Sequence, residues 1–202
     1  MIKLYDYFDC PFCQKVKVVL HEKDLEYETI LVDLKKGEQR TPEFLKLNPY
    51  GKVPVIIDED VVIYDSTIIN EYLDEEYPHP ALMPEDSAAR ARVRLLEDYC
   101  DNSFIPSAGL VLTELAKPEA ERDQERLVRY QSEVQRGLTR LETFLGTGEY
   151  LLRDFSLADI AFVPRVLILP KLGVDLDPRL RHVGAWIQRL RERPSVARLN
   201  LS

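Results

Sequence analysis

The sequence lacks the features that mark secreted, membrane and fibrous proteins, because it has few cysteines and no long uncharged segment. Its 202 residues include three cysteines, and the longest stretch without a charged side chain is the 12 residues from Asn102 to Thr113. A helix needs about 20 apolar residues to cross a bilayer, so no stretch of this sequence is long enough. An acidic residue, Asp6, comes before an apolar signal-peptide region could form. Because 45% of the residues are apolar, the chain can bury a core, and we expect a folded cytoplasmic protein.

Basic clusters are lacking as well. The formal net charge of −8 arises entirely in residues 1–78, which carry 9 basic and 17 acidic side chains, whereas residues 79–202 carry 18 of each. Direct binding of nucleic acid is disfavoured, because the phosphate backbone is held chiefly by lysine and arginine. We therefore expect small molecules or proteins as partners, and the charge contrast indicates two structural units.

The first 78 residues alternate between strand-like and helix-like patterns. Strands are predicted at 2–5 and 27–32, and a hairpin is predicted from strands at 53–57 and 61–64. Helices are predicted after Pro11, from Pro42, and after a cap at Asp65 or Ser66, the last with an apolar face of Ile68, Ile69, Tyr72 and Leu73. The order βαβαββα indicates an α/β domain.

The remainder of the chain is predicted to be helical. Three prolines in residues 77–84 exclude a regular helix or strand. We therefore predict a first domain of residues 1–78, a linker of residues 79–87 and an all-α domain of residues 88–202. Helices are predicted at 88–117 with a kink at Pro106, at 119–145 ending at Gly146, at 156–170 and at 179–193.

The first candidate for chemistry is Cys10-Pro11-Phe12-Cys13, between the first strand and the first helix. Cys10 is predicted at the N-cap or in the first turn, where unpaired N–H groups and the helix dipole favour a thiolate. Cys13, one turn further, is placed to resolve a mixed disulfide on Cys10. The alternatives are two inert core thiols or a zinc site. Zinc normally needs a second Cys/His pair, and Cys100 with the three histidines does not show that spacing.

Two further segments carry weaker signals. In Asn48-Pro49-Tyr50-Gly51-Lys52-Val53-Pro54, a cis Val53-Pro54 bond would turn the Val53 N–H and C=O outward to pair with an extended peptide. An ordinary edge-strand proline is the equal alternative. Asp65-Ser66 offers a helix N-terminus to an α-carboxylate, with Asp65 near the accompanying ammonium group, although a plain N-cap is the commoner role of such a pair.

Taken together and in this order, the three motifs resemble the cytosolic glutathione S-transferase family over essentially the whole chain. The segment Phe155-Ser156-Leu157-Ala158-Asp159-Ile160-Ala161 is similar to the family's helix-capping segment, in which Ser156 caps the helix and Asp159 answers as in a capping box. The resemblance implies a thioredoxin-like first domain, a helical second domain, a glutathione site on the first domain and a homodimer.

The resemblance also implies roles for individual residues. It gives Val53 the backbone pairing with the cysteinyl part of glutathione, beside a cis Pro54, and it gives Lys52 the glycine carboxylate. Asp65 and Ser66 would hold the γ-glutamyl end. Glutathione is thus implied as a co-substrate, together with a small electrophile or disulfide, and no metal is implied.

Cys10 occupies the position of the catalytic cysteine in the omega and related classes, which are similar to thiol transferases, dehydroascorbate reductases and deglutathionylating enzymes. The omega pattern has no cysteine at the position of Cys13, and Cys-Pro-Phe-Cys resembles a glutaredoxin active site, so monothiol and dithiol chemistry both stay open. Tyr7 is the competing catalytic group, because the tyrosine classes place a phenol at the end of the first strand. Cys100 is expected to be a buried, inert thiol.

A second resemblance points to a different function. Residues 71–84 and the segment Leu169-Pro170-Lys171-Leu172-Gly173 are similar to stringent starvation protein A, a glutathione-transferase-fold family that binds RNA polymerase. Its pattern includes a surface Pro-His-Pro, matched here by Pro78, His79 and Pro80. That family lacks the Cys-x-x-Cys motif. The alternative function is therefore an RNA-polymerase-associated regulator without glutathione activity.

Overall fold

The computed structural model describes residues 1–201, and the chain divides into two compact units. The first unit runs from Met1 to Leu82, and the second begins at Met83. The division falls inside the linker predicted at 79–87. Within residues 1–201, no helix combines the length and the apolar character needed to cross a membrane.

The first unit has the predicted order βαβαββα. Its elements are β1 (Ile2–Asp6), α1 (Pro11–Glu22), β2 (Tyr27–Leu31), α2 (Pro42–Leu47), β3 (Val55–Asp58), β4 (Val61–Tyr64) and α3 (Ser66–Glu76), with a 3-10 turn at Glu38–Arg40. The sheet order is β2-β1-β3-β4, in which β1 and β2 are parallel and β3 is antiparallel to both β1 and β4. This unit is a thioredoxin-like domain.

Both faces of the sheet are covered, because the side chains of a strand point alternately to opposite faces. On one face Leu4 and Asp6 of β1 are buried, and Asp6 pairs with Lys17 of α1. On the other face the Tyr5 ring packs edge-on against Phe44 of α2, with 6.0 Å between the ring centroids. Helices α1 and α2 therefore lie on opposite sides of the sheet.

A buried lysine ties the end of α1 to the proline-rich segment that follows α3. The Lys23 side chain is 0% exposed, and its Nζ lies 2.8 Å from Asp74 Oδ1. The same ammonium group donates to the main-chain carbonyls of Tyr77 at 2.6 Å and Pro80 at 2.8 Å. Asp74 Oδ1 also accepts the N–H of Leu82 at 2.7 Å. These extra hydrogen bonds offset part of the cost of removing both charges from water.

The apolar face predicted for α3 is wrong at Ile68, which is 58% exposed. Ile69 and Leu73 are buried and Tyr72 is partly buried, as predicted, but the polar residues Asn70 and Asp74 also lie on the buried face. Asp74 is buried because it pairs with Lys23, a contact from a distant part of the sequence that hydrophobic periodicity does not register.

The second unit is helical, as predicted. Its helices are α4 (Ser87–Tyr99), α5 (Ile105–Leu115), α6 (Gln124–Leu145), α7 (Leu157–Val166), α8 (Arg181–Glu192) and α9 (Pro194–Ala197), with a π-helical segment at Cys100–Phe104 and 3-10 turns at Glu119–Glu121 and Leu169–Leu172.

The helix boundaries in this unit correct several predictions. The helix predicted at 88–117 is interrupted by the π-helical segment just before Pro106, whose nitrogen cannot donate a hydrogen bond. The helix predicted from 119 begins only at Gln124, because Asp123 caps it by accepting the N–H of Arg126 at 3.0 Å. It ends before Gly146, as predicted. The helix predicted at 156–170 ends at Val166 and gives way to a 3-10 turn.

The predicted capping box at the start of α7 is confirmed. Asp159 Oδ2 accepts the N–H of Ser156 at 3.0 Å, while its Oδ1 accepts the N–H of Leu151 at 3.0 Å and the indole N–H of Trp186 at 2.9 Å. Burial raises the pKa of the Asp159 carboxyl to about 6, against the lowering effect of these donors. One carboxylate therefore joins α7, α8 and the segment before α7.

Candidate functional site

The register of the sheet brings the three predicted motifs to one end of the first unit. Tyr5 of β1 pairs with Val55 at the start of β3, and Val55 pairs with Tyr64 at the end of β4. The Cys10 segment therefore leaves β1, the Lys52–Pro54 segment enters β3 and the Asp65–Ser66 pair leaves β4 at the same edge. Strand pairing, rather than proximity in sequence, assembles this candidate site.

Cys10 occupies the N-cap of α1, as the sequence predicts, and Pro11 follows it at the first helical position. The Cys10 N–H donates to the Tyr7 carbonyl at 2.9 Å, and the Cys10 carbonyl accepts the N–H of Gln14 at 3.0 Å. These two bonds hold the main chain of Cys10 between the end of β1 and the first turn of α1. The cysteine is partly exposed, so a solvent-borne substrate can reach it.

The two thiols of the motif have opposite electrostatics. The Cys13 S–H donates to the Cys10 sulfur and lowers the pKa of Cys10, and this effect, with the N–H groups of Cys13 and Phe12, outweighs burial, which raises it. Burial raises the pKa of the Cys13 thiol, and the neighbouring Cys10 raises it further. Cys10 is therefore the group that forms a thiolate, and Cys13 is its hydrogen-bond donor.

Val53 and Tyr7 lie beside the two cysteines. The buried side chains of Cys13 and Val53 belong to one apolar cluster, and Tyr7 and Cys10 pack against that cluster. The ring of Tyr7 also lies 4.9 Å from the ring of Phe8, measured between centroids. The main-chain carbonyl of Tyr7 accepts the Cys10 N–H. The sequence predicted a role for the Tyr7 phenol and did not predict this contact.

The loop before β3 is shaped by Asn48, whose side chain is buried. Its Nδ2 donates to the Lys52 carbonyl at 2.7 Å, and its Oδ1 accepts the N–H of Tyr50 at 3.0 Å. Gly51 has a φ of +60°, and a Cβ there would lie 2.9 Å from the Gln39 carbonyl oxygen, so this position requires glycine. The loop leaves the Lys52 side chain exposed, and the Val53-Pro54 bond is cis, as the family resemblance implies.

The Asp65-Ser66 pair starts α3, as predicted. Asp65 is the N-cap with a φ of +75°, and its Oδ1 accepts the N–H groups of Thr67 at 3.0 Å and Ile68 at 3.3 Å. The carboxylate thus performs the plain N-cap role that is the commoner one for an Asp-Ser pair. Ser66 is buried at the first helical position, where its N–H belongs to the positive end of the helix.

One charged pair beside the cysteines was missed in the sequence analysis. Asp6, at the end of β1, is 3% exposed, and its Oδ2 lies 2.8 Å from Lys17 Nζ. The sequence does indicate that Asp6 is buried, because Asp6 follows Ile2 and Leu4 in the two-residue period of the strand and therefore lies on the same buried face. An acidic side chain at such a position is predicted to be buried, and buried carboxylates need partners.

Cys100 is buried, as predicted, and its Sγ donates to the Ala161 carbonyl at 3.1 Å. Within the described residues, no group of three or more His, Cys, Asp and Glu side chains is arranged to hold a metal ion.

The Pro-His-Pro segment of the second resemblance lies on the surface. Its three residues, Pro78, His79 and Pro80, are all exposed.

Comparison with known proteins identifies the family of the chain. The chain matches two family models, the N-terminal domain of glutathione S-transferases at residues 9–76 and the C-terminal domain at residues 104–194. A stringent starvation protein A homolog from Pasteurella multocida is 35% identical over 185 residues, which are 91% of this chain and 82% of that protein. Maleylacetoacetate isomerase from Pseudomonas aeruginosa is 33% identical over 190 residues, which are 91% of this chain and 89% of the isomerase.

A solved structure agrees with these relatives. The glutathione transferase URE2P8 from Phanerochaete chrysosporium, determined with oxidized glutathione, superposes with a TM-score of 0.87 at 28% identity and covers 98% of this chain and 92% of its own. Both domain matches, the relatives above 30% identity and this superposition lead to one conclusion: the chain belongs to the glutathione S-transferase family.

Proposed function

We propose that this protein is a glutathione-dependent thiol transferase of the deglutathionylating type, with Cys10 as its nucleophile. The observation that supports this proposal is the environment of Cys10, a partly exposed N-cap cysteine whose thiolate is stabilised by the Cys13 thiol and by main-chain N–H groups. A thiolate is the reactive form of cysteine, and a lowered pKa makes it available at neutral pH.

The reaction begins when the Cys10 thiolate attacks the glutathione sulfur of a mixed disulfide between glutathione and a second thiol. A bond forms between Cys10 and glutathione, the original disulfide bond breaks, and the second thiol leaves with the electron pair and takes a proton from water. The thiolate of a second glutathione can then attack the adduct, which releases oxidized glutathione and restores Cys10. Alternatively, Cys13 attacks Cys10, which releases reduced glutathione and leaves an internal disulfide.

We assign glutathione binding to Lys52, Val53, Pro54, Asp65 and Ser66, following the family pattern. An extended cysteinyl backbone pairs with Val53 beside Pro54, and the ammonium group of Lys52 attracts the glycine carboxylate. The N-terminus of α3 at Ser66 attracts the γ-glutamyl carboxylate, because a helix N-terminus is an anion site. Support comes from the meeting of these segments with Cys10 at one sheet edge, and from the glutathione-bound neighbour.

The proposal is tested by calorimetric titration with reduced glutathione and by intact-mass measurement after exposure to oxidized glutathione. We expect binding together with a single glutathionyl adduct or an internal disulfide, and we expect both products to be absent in Cys10→Ser. Cys13→Ser should keep the adduct. Cys100→Ser is the control, since its buried thiol lies in the second unit, and it should behave like the parent protein. Failure to bind glutathione, or an adduct that persists in Cys10→Ser, contradicts the proposal.

A second candidate function is an RNA-polymerase-associated regulator. It is favoured by the stringent starvation protein A homolog at 35% identity and by the exposure of Pro78, His79 and Pro80. If it is correct, the protein binds purified bacterial RNA polymerase, and His79→Ala weakens that binding. His182→Ala, at another exposed histidine, is the control. Equal binding by the His79 variant and the parent protein removes this surface from consideration.

The remaining expectations follow from the family. We expect a homodimer, to be checked by light scattering, and a small electrophile or disulfide as the second substrate. The cytoplasmic location stays a prediction.

A further inference from the structure

The dithiol branch of the proposed reaction leaves one proton without an acceptor. Cys13 must lose its thiol proton before its sulfur can attack Cys10, yet its side chain is 0% exposed. Burial raises the pKa of the Cys13 thiol. Bulk water therefore has no direct route to this proton, and a base within the protein is needed.

Asp6 is a buried carboxylate with an oxygen available for this purpose. Its Oδ2 is held by Lys17 Nζ at 2.8 Å, whereas its Oδ1 is buried and has no hydrogen-bond partner in the described part of the chain. A buried carboxylate oxygen normally has a partner, so an orphan oxygen calls for a functional explanation. Lys17 holds the other oxygen in an ion pair, so the carboxylate presents Oδ1 as its unoccupied acceptor.

Two separate contacts place Asp6 beside Cys13. Cys13 and Lys17 are four residues apart on α1, so they share a helix face, and Lys17 reaches Asp6 from that face. In addition, the Cys13 sulfur accepts a hydrogen bond from the N–H of Tyr7, which belongs to the peptide bond that joins Tyr7 to Asp6. Among the described residues, the titratable groups that interact with Asp6 include Lys17, Cys13 and Cys10, which lie on α1 and at its N-cap. From the β2 side, Asp6 accepts the N–H of Val32 on its main-chain carbonyl.

We propose that Asp6, paired with Lys17, accepts the proton of Cys13 when Cys13 resolves the glutathionyl adduct on Cys10. This inference rests on the proposed thiol-transferase function. In the step, the proton moves to Asp6 Oδ1 and the Cys13 sulfur forms a bond to the Cys10 sulfur. The bond between Cys10 and glutathione breaks, and the electron pair leaves on the glutathione thiolate. Cys13 is oxidised from the thiol to the disulfide level, the departing glutathione is reduced from the disulfide to the thiol level, and Cys10 stays at the disulfide level throughout.

A fixed negative charge at Asp6 would have the opposite effect on the same step. Burial raises the pKa of Cys13, and the charge of Asp6 raises it further, so removal of that charge by itself makes Cys13 easier to ionise. If Asp6 acted only as a charge, Asp6→Asn would accelerate release of glutathione. If Asp6 accepts the proton, the same substitution slows release, by roughly 10²-fold for the loss of a positioned base.

The experiment isolates the resolving step. The 202-residue protein is loaded with oxidized glutathione at acidic pH and freed of excess glutathione. It is then shifted to a series of higher pH values and quenched with acid at short times. Intact mass then separates the adduct from the internal disulfide. The variants are Asp6→Asn and the matched control Asp9→Asn, which removes an exposed charge from the same loop.

We expect the adduct to form on Cys10 in all three proteins, and glutathione to leave slowly only from Asp6→Asn. Release from Asp6→Asn at or above the parental rate overturns the inference, as does equal slowing in Asp9→Asn. Failure of the parent protein to form the adduct contradicts the proposed function instead, so the two failures are distinguishable.

A second variant guards against a folding defect in Asp6→Asn. Lys17→Gln keeps the carboxylate as the proton acceptor and removes only its ion-pair partner, so release should stay well above the rate of Asp6→Asn. Release from Lys17→Gln that is as slow as from Asp6→Asn overturns the inference, because loss of the ion pair rather than loss of the base would then explain both results.

Discussion

Replacement of Cys13 by alanine tests the most informative contact in the site, the hydrogen bond from the Cys13 thiol to the Cys10 thiolate. That bond is the largest of the effects that lower the pKa of Cys10. Hydrogen bonds to charged groups contribute about 1.5–3 kcal/mol, and about 1.4 kcal/mol corresponds to a factor of ten in an equilibrium. Loss of the bond should therefore lower the ionisation constant of the Cys10 thiol by roughly 10- to 150-fold.

Below the pH midpoint of the reaction, the measured reactivity falls by less than the ionisation constant does. A more basic thiolate is a better nucleophile, with a Brønsted coefficient of about 0.4–0.5, so about half of the logarithmic loss is recovered. We expect the alkylation rate of Cys10 by iodoacetamide below that midpoint to fall roughly 3- to 12-fold in Cys13→Ala, and the midpoint itself to move upward. Cys13→Ser retains a hydroxyl donor and serves as the control, with a smaller change.

The assay follows alkylation of Cys10 by mass spectrometry across a range of pH, with unfolding midpoints measured alongside to verify the fold. An unchanged rate and midpoint in Cys13→Ala would refute the reasoning, because the helix N-terminus alone would then account for the thiolate. Equal losses in Cys13→Ala and Cys13→Ser would refute it in another way, since a packing change rather than a lost donor would be responsible.

Three predictions concern the scaffold of the site and of the helical unit. Asp159→Ala leaves three buried donors without an acceptor, at roughly 1–3 kcal/mol each, so denaturant unfolding should show a larger loss of stability than in Asp159→Asn; equal losses would contradict the assignment. Gly51→Ala forces a Cβ to within 2.9 Å of a carbonyl oxygen at a positive φ and should weaken glutathione binding in calorimetry, whereas unchanged affinity would show that the loop adjusts. Burial opposes ionisation of Glu142, but the N–H groups of Val183 and His182 prevail and lower its pKa. The hydrogen bonds of Glu142 therefore stabilise the fold above the unfolded pKa of this carboxyl, and that stabilisation is lost as the pH falls through the folded pKa. Glu142→Gln should flatten the loss of stability at acidic pH, and an unaltered loss would assign it to other carboxylates.

Local patterns in the sequence predicted the elements of the fold well. The strand and helix order of the first unit, the N-cap position of Cys10 and the capping box of Ser156 and Asp159 all depend on residues within a few positions of one another. Propensity, alternation and capping act over that range, so these features can be read directly from the chain. The family resemblance was likewise carried by short motifs in a particular order.

A long-range contact explains why the buried face of α3 was predicted wrongly. The buried face of α3 was misjudged because Lys23, about 50 residues earlier, draws Asp74 into the interior, while Ile68 remains exposed. A hydrophobic pattern treats a charged residue as a surface residue, and it cannot identify a buried partner. The start of α6 shifted for a more local reason, since the capping bond of Asp123 was not anticipated.

The sequence by itself determined the two-unit α/β and all-α architecture, the family and the cysteine that begins α1, because each of these is encoded in neighbouring residues. The tertiary structure alone decided which groups surround that cysteine. The register that pairs Tyr5 with Val55 and Val55 with Tyr64 brings the three motifs to one edge, and the contact between Lys17 and Asp6 places a buried carboxylate beside Cys13. Hydrogen bonds and ion pairs depend on distance in space, and only the folded chain specifies those distances.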